Sequence, residues 1–167
     1  MRKHIIYLFL FFSFCAFSQT KKPVKQISVI YKTFQDSVFE VGDIIRFPDL
    51  IFTLDKAVLL PASEDSLKKL CWFFKKFNFV LFEIGNHTDT RGSDKHNTDL
   101  SKMRARIVAE FIVQSCGTDP KKITYKGYGE SKPLIPDVEI ERRKTKQEKE
   151  VGHARNRRTE LKILSLN

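Results

Sequence analysis

Little in this sequence of 167 residues would serve covalent chemistry. It holds no G-x-S-x-G elbow and no recognisable Ser-His-Asp set, the usual equipment of a nucleophilic hydrolase. His87, Asp89 and His96 come nearest to a ligand set, but their spacing matches no zinc pattern. No pair of glycosidase carboxylates can be picked out either. The expectation is no enzyme, no metal and no cofactor. After the N-terminal run, no stretch is apolar enough to cross a bilayer, and no ladder of alternating ten-residue strands suggests a barrel. Cysteine is scarce, with only Cys15, Cys71 and Cys116.

What is present begins with an address. Residues 1–18 read MRKHIIYLFLFFSFCAFS: Arg2 and Lys3 make a basic start, 5–12 an apolar core, and Ala16 and Ser18 small residues before a cleavage point at Gln19. This predicts a secretory signal. Cys15 raises the question of lipid attachment, which needs a small residue before the cysteine; bulky Phe14 argues against it. Loss of Arg2 and Lys3 with the signal leaves 28 basic against 20 acidic side chains, a net of +8. Such a balance favours anionic partners. An exported chain seldom meets nucleic acid, so cell-wall polymer moves ahead and no nucleic acid is expected. Cys71 and Cys116 fall on apolar helical stripes. They read either as two buried thiols or as a disulfide, which an exported compartment permits.

Local patterns then divide the chain. Residues 19–25 form a polar leader, and 27–41 mix β-branched and aromatic residues that can add an edge strand. The 44–54 stretch is strand-like, with Pro48 at an edge, bulge or break. Glu64 and Asp65 open a helix whose apolar stripe is Leu67, Leu70, Cys71, Phe74 and Phe77. A strand follows over 80–84. A second helix over 94–115 has the expected stripe Leu100, Met103, Ile107, Phe111 and Ile112, and Gly117 ends it. Strands are expected over 123–129 and 159–164. Between them, 137–151 is a polar, basic insertion with no apolar stripe, read as a solvated helix or loop. The order β-α-β-α-β-(insertion)-β predicts an α+β two-layer sandwich, with two helices on one face of a mixed sheet. The expected divisions are a signal over 1–18, a leader over 19–41 and one domain over 42–167.

The most informative stretch is 82–106. A strand ends, a polar loop carries Asp89, Gly92 turns, and Ser93 is placed to cap the next helix. Asn97, Leu100 and Arg104 then share one helical stripe. Helical side chains lean toward the N-terminus, so Arg104 reaches back toward the Asp89 loop. A carboxylate and a guanidinium beside free helix-start N–H groups suit a zwitterion; the plainer alternative is a surface salt bridge.

HTDTRGSDKHNTDLSKMRA resembles the signature of the OmpA C-terminal-like, peptidoglycan-associated-lipoprotein-like family, roughly GHTD-x-x-G-(x4)-N-x-x-L-S-x-x-R-A. His87, Thr88, Asp89, Gly92, Asn97, Leu100, Ser101, Arg104 and Ala105 match, while Asn86 stands where Gly is usual. FTLDKAVLLP, GYGESKPL and GHARNRRTEL are similar to further family blocks, in the right order, with departures at His153 and Thr159. The resemblance covers about 44–164.

That resemblance implies non-covalent binding of peptidoglycan, mainly of the diaminopimelate in its stem peptide, in the periplasm near the outer membrane. By position, Asp89 is expected to accept the ligand's ammonium and Arg104 to hold its carboxylate. Asn97 would orient ligand or loop, Leu100 wall the pocket, and Arg157 face the same cleft. Asn156 and Arg158 would be structural. The Thr88 hydroxyl would either contact ligand or tie the turn. Two alternatives stay open: an assembly component that docks with outer-membrane or envelope proteins, and a cell-wall hydrolase.

Overall fold

The computed structural model describes residues 31–33, 36, 38–47, 50–78 and 80–166. The signal, the 19–25 leader and the Pro48 break lie outside the described residues. The strands are β1 (Tyr31–Lys32), β2 (Ile44–Phe47), β3 (Val80–His87), β4 (Ile123–Gly129) and β5 (Arg158–Leu166). They form one mixed sheet in the order β1-β2-β5-β3-β4. The outer pairs, β1 with β2 and β3 with β4, are parallel, and β5 runs antiparallel to both of its neighbours.

Alternation decides which side of the sheet is covered. Ile45 and Phe47 on β2, Val80, Phe82 and Ile84 on β3, and Leu161 and Ile163 on β5 are all buried in one apolar cluster. The register sets Phe82 opposite Ile163 and Ile84 opposite Leu161. Onto this face pack α1 (Glu64–Lys76) and α2 (Asp94–Cys116). Helix α1 has acids in its first turn and Lys75 and Lys76 in its last, each favoured by the helix dipole. It inserts Leu70, Phe73 and Phe74. The Phe73 ring meets those of Phe39, Phe74, Phe77 and Phe82 at centroid distances of 4.8–5.9 Å. Truncating such a residue to Ala costs about 3–5 kcal/mol. The α+β sandwich expected from the element order is the observed fold.

Helix α2 is rolled from its expected orientation. Met103 is 46 % exposed, and the buried face is Leu100, Ser101, Arg104, Ala105, Val108, Ala109, Ile112 and Cys116. The cause is a close approach to β4. A Cβ on Gly127 would stand 2.3 Å from the backbone N of Lys102 and 2.6 Å from Ser101 Oγ. Only a small-residue face fits there. Cys71 and Cys116 form a disulfide that joins α1 to α2, with Cα atoms 4.7 Å apart. A bridge of this kind contributes about 2–4 kcal/mol.

The 137–151 segment also departs from its expected form. It holds two helices, α3 (Asp137–Glu141) and α4 (Lys146–Asn156). Ile140 is fully buried against Gly152, so the segment does bury an apolar side chain. Thr145 and Glu148 form a reciprocal capping box at the start of α4, which defines that helix without an apolar stripe. Among the described residues no helix is long and apolar enough to cross a membrane.

Candidate functional site

Strand β3 runs three residues further than the sequence suggested, because Gly85, Asn86 and His87 are paired on both sides, by β4 and by β5. It therefore delivers Thr88 and Asp89 directly to the start of α2. Gly92 turns the loop at φ +106°, a conformation that disfavours side chains. Ser93 caps α2 by accepting from His96 N at 3.3 Å. From the first turn of α2, Asn97 holds the loop in shape. Its Nδ2 lies 3.2 Å from the carbonyl oxygens of Asp89 and Arg91, and 2.6 Å from Glu130 Oε2. These bonds fit the loop-orienting role expected of it.

Asp89 is buried and already paired. Its Oδ1 accepts from Arg91 N at 3.1 Å. Its Oδ2 accepts from Arg91 Nη2 at 2.7 Å and from Arg157 Nη1 at 2.6 Å. Outside this pair sits Glu150 of α4, whose two oxygens accept from Arg91 Nη1 at 2.9 Å and Arg157 Nη2 at 2.7 Å. Two acids and two guanidiniums thus alternate around a closed ring. Burial pushes the Asp89 carboxyl up, but the side-chain bonds from Arg91 and Arg157 and the Arg91 N–H outweigh it. The net effect holds the carboxyl below its ordinary value.

Arg104 does not pair with Asp89. It is buried, with Nε donating to the Lys56 carbonyl at 3.0 Å and Nη2 to the Thr53 carbonyl at 3.2 Å. Its guanidinium lies over the Phe52 ring, 5.0 Å from the centroid. The alternative reading, a surface salt bridge to Asp89, is therefore not what forms: Arg104 fastens the 52–56 loop to α2. Burial lowers its pKa, as does the charge of Arg157, against the opposing pull of Asp55 and Asp89. These charges all act on the same guanidinium, so Asp89, Arg157, Asp55 and Arg104 share one electrostatic neighbourhood. Asn97 and Arg104 are about 10 Å apart along the axis of α2. Leu100 lies between them, buried yet outside the main core cluster. At Thr88 the turn is tied by the backbone and not by the side chain. Its backbone N–H donates to the Gly129 carbonyl at 2.9 Å, while its hydroxyl is buried without a partner among the described residues.

The His87, Asp89 and His96 trio is not gathered. His87 stacks on Tyr128 at 4.8 Å and meets Glu160, on the side of the sheet away from α1 and α2, whereas His96 bonds Asp55 at 2.6 Å. Asn156 accepts from the N–H groups of Leu134 and Ile135 at 2.9 Å. Arg158 pairs with Glu160 at 2.6 Å. Both are structural contacts. Sequence reasoning missed Arg91 and Glu150. For Arg91 a signal existed, since an Asp two residues ahead commonly accepts from the backbone N–H. Glu150 lay in a segment read as solvated.

A model of the OmpA family matches residues 51–147, more than half of the chain. The chain belongs to the OmpA family. OmpA-family domains of this type are non-catalytic. Outer membrane porin F of Pseudomonas fluorescens is 34 % identical over 124 residues, which cover 74 % of this chain and 35 % of that protein. The peptidoglycan-binding protein ArfA of Mycobacterium bovis is 30 % identical over 114 residues, 68 % of this chain and 32 % of that one. The chain thus spans about a third of the length of these relatives. Among solved structures, the periplasmic domain of Helicobacter pylori MotB matches with a TM-score of 0.59 at 18 % identity, over 77 % of this chain and 86 % of that one. That likeness concerns the fold. The OmpA-family match ends before Glu150 and Arg157, so half of the charged ring lies beyond it.

Proposed function

We propose that this chain is a periplasmic peptidoglycan-binding domain that grips the diaminopimelate of the stem peptide. In this reading residues 1–18 are removed on export and 42–167 form the binding domain. The observation that carries it is the setting of Asp89, a buried, ionised carboxylate whose cations are reachable from solvent, beside the rigidly held Arg104. The OmpA-family match and a peptidoglycan-binding relative support it.

The ligand's ammonium takes the place of the Arg91 side chain on Asp89 Oδ2, and Arg157 keeps the carboxylate in position. Arg91 is half exposed, so it swings into water at little cost. The ligand's terminal carboxylate is held by Arg104, whose Nη1 makes no hydrogen bond among the described residues. Each charge-assisted bond contributes about 1.5–3 kcal/mol. Leu100 walls the space between the two ends. Asn97 and Thr88 shape the loop beneath them. Co-sedimentation with purified sacculi tests the reading. The wild-type protein pellets with the wall and Asp89→Ala stays in solution; a wild type that fails to pellet refutes it.

A further inference from the structure

Beside the charged ring, α3 and α4 bring three metal-ligating side chains together. Asp137 and Glu141 are four residues apart on α3 and share one of its faces. His153 reaches the same place from α4. One carboxylate oxygen from each acid and one ring nitrogen of His153 all lie within 4.8 Å of one another. The acids are exposed, but His153 is only 7 % exposed, and its Nδ1 is buried without a hydrogen-bond partner among the described residues. Buried imidazoles are ordinarily satisfied, and this one, with an unpartnered nitrogen on the ring and a ring nitrogen close to two carboxylates, is placed to share a partner with them.

We propose that Asp137, Glu141 and His153 bind a divalent transition-metal ion of the zinc type, which pins α3 to α4. One imidazole nitrogen with two carboxylate oxygens suits zinc and its neighbours, whereas magnesium and calcium favour oxygen alone. Zinc–ligand bonds of about 2.0–2.2 Å set ligand atoms about 3.3 Å apart, so the three groups need to close by no more than about 1.5 Å. The exposed acids are free to make that movement. Their present bonds do not use them up. Thr90 Oγ1 donates to Asp137 Oδ1 at 2.6 Å and Lys149 Nζ to Glu141 Oε2, and each carboxylate keeps a second oxygen. Lys149 is the ion's competitor, through a surface pair of small net worth. Helix α4 also carries Glu150, and Thr90 belongs to the Asp89 loop, so the ion stiffens one wall of the charged site. Metal binding at these three side chains is independent of which wall ligand the charged site takes.

Calorimetric titration of the metal-free exported protein with zinc chloride, paired with thermal unfolding, tests it. One zinc per chain should bind and raise Tm. The double variant Asp137→Asn, Glu141→Gln changes only exposed positions and should weaken binding at least tenfold and abolish the rise in Tm. His153→Ala should do the same. His96→Gln, at the separate pair with Asp55, should leave zinc binding unchanged. Absence of zinc binding, binding that survives the double variant, or binding that is lost with His96 overturns the proposal.

Discussion

Asp89 and Glu160 are buried to nearly the same degree, and each takes one arginine of the Arg157–Arg158 pair. Their settings differ in the cations. Glu160, on the side of the sheet away from α1 and α2, accepts from Arg158 Nε at 2.6 Å, from Tyr31 at 2.5 Å and from His87 at 3.2 Å. The Arg158 side chain is 4 % exposed. Around Asp89, Arg157 is 35 % and Arg91 is 53 % exposed. On the proposed reading of Asp89 as the ligand's partner, burial of a carboxylate does not separate a structural group from a binding one. The reach of water to its partners does, because only a partner that water can receive is displaced cheaply by a ligand.

The sharpest way to break this comparison is to neutralise each acid in turn. Glu160→Gln leaves the buried Arg158 without its counter-charge and should cost about 3 kcal/mol in urea unfolding. Asp89→Asn should cost about 1 kcal/mol, since Arg91 and Arg157 retain Glu150 and solvent. Equal losses would erase the distinction. Acid titration gives the same contrast in another form. Burial raises the Glu160 carboxyl, but His87 and Arg158 pull it down to about 2 from an ordinary 4.5. A depressed folded-state value means that its contribution is complete above about pH 4.5 and disappears as pH falls toward 2. The amount at stake is about 3 kcal/mol. Stability of the wild type should fall across that window, and Glu160→Gln should flatten the profile.

Smaller effects concern α4. Thr145→Ala removes the capping box and should cost about 1 kcal/mol, with faster amide exchange confined to α4. Glu150→Gln, at a half-exposed position, should change stability by less than about 1 kcal/mol. Its effect should appear in sedimentation with sacculi, as binding weakened by roughly up to fivefold, because Arg91 and Arg157 then lean on Asp89 alone. A loss of fold in this variant would place Glu150 with Glu160 among the structural acids.

What could be read from the sequence follows from range. Helix α1, the Ser93 cap and strand β4 are written in local spacing and end signals, and they stand where those signals put them. The facing of α2 was not legible, because it depends on Gly127, a residue about 25 positions away whose missing side chain lets the α2 backbone at Ser101 and Lys102 close onto β4. Asp89, Asn97, Leu100 and Arg104 could be picked out by motif. Their partners could not: Arg91 meets Glu150 across 59 positions and Arg104 meets the Thr53 carbonyl across 51. Burial of Ile140 likewise needs Gly152 from the next helix, so the 137–151 segment looked like a polar run.

The central claim is that Asp89 and Arg104 hold the two charges of one amino-acid end. Calorimetry with diaminopimelate-type and lysine-type stem peptides tests it most directly. A lysine-type peptide offers Asp89 its ammonium but leaves Arg104 facing no carboxylate, a mismatch of about 2 kcal/mol, or roughly thirtyfold in affinity. The account predicts that preference in the wild type and its loss in Arg104→Gln, with unfolding measured alongside because Arg104 also fastens the 52–56 loop. Equal affinity for both peptides, or a preference that survives in a folded Arg104→Gln, would contradict it.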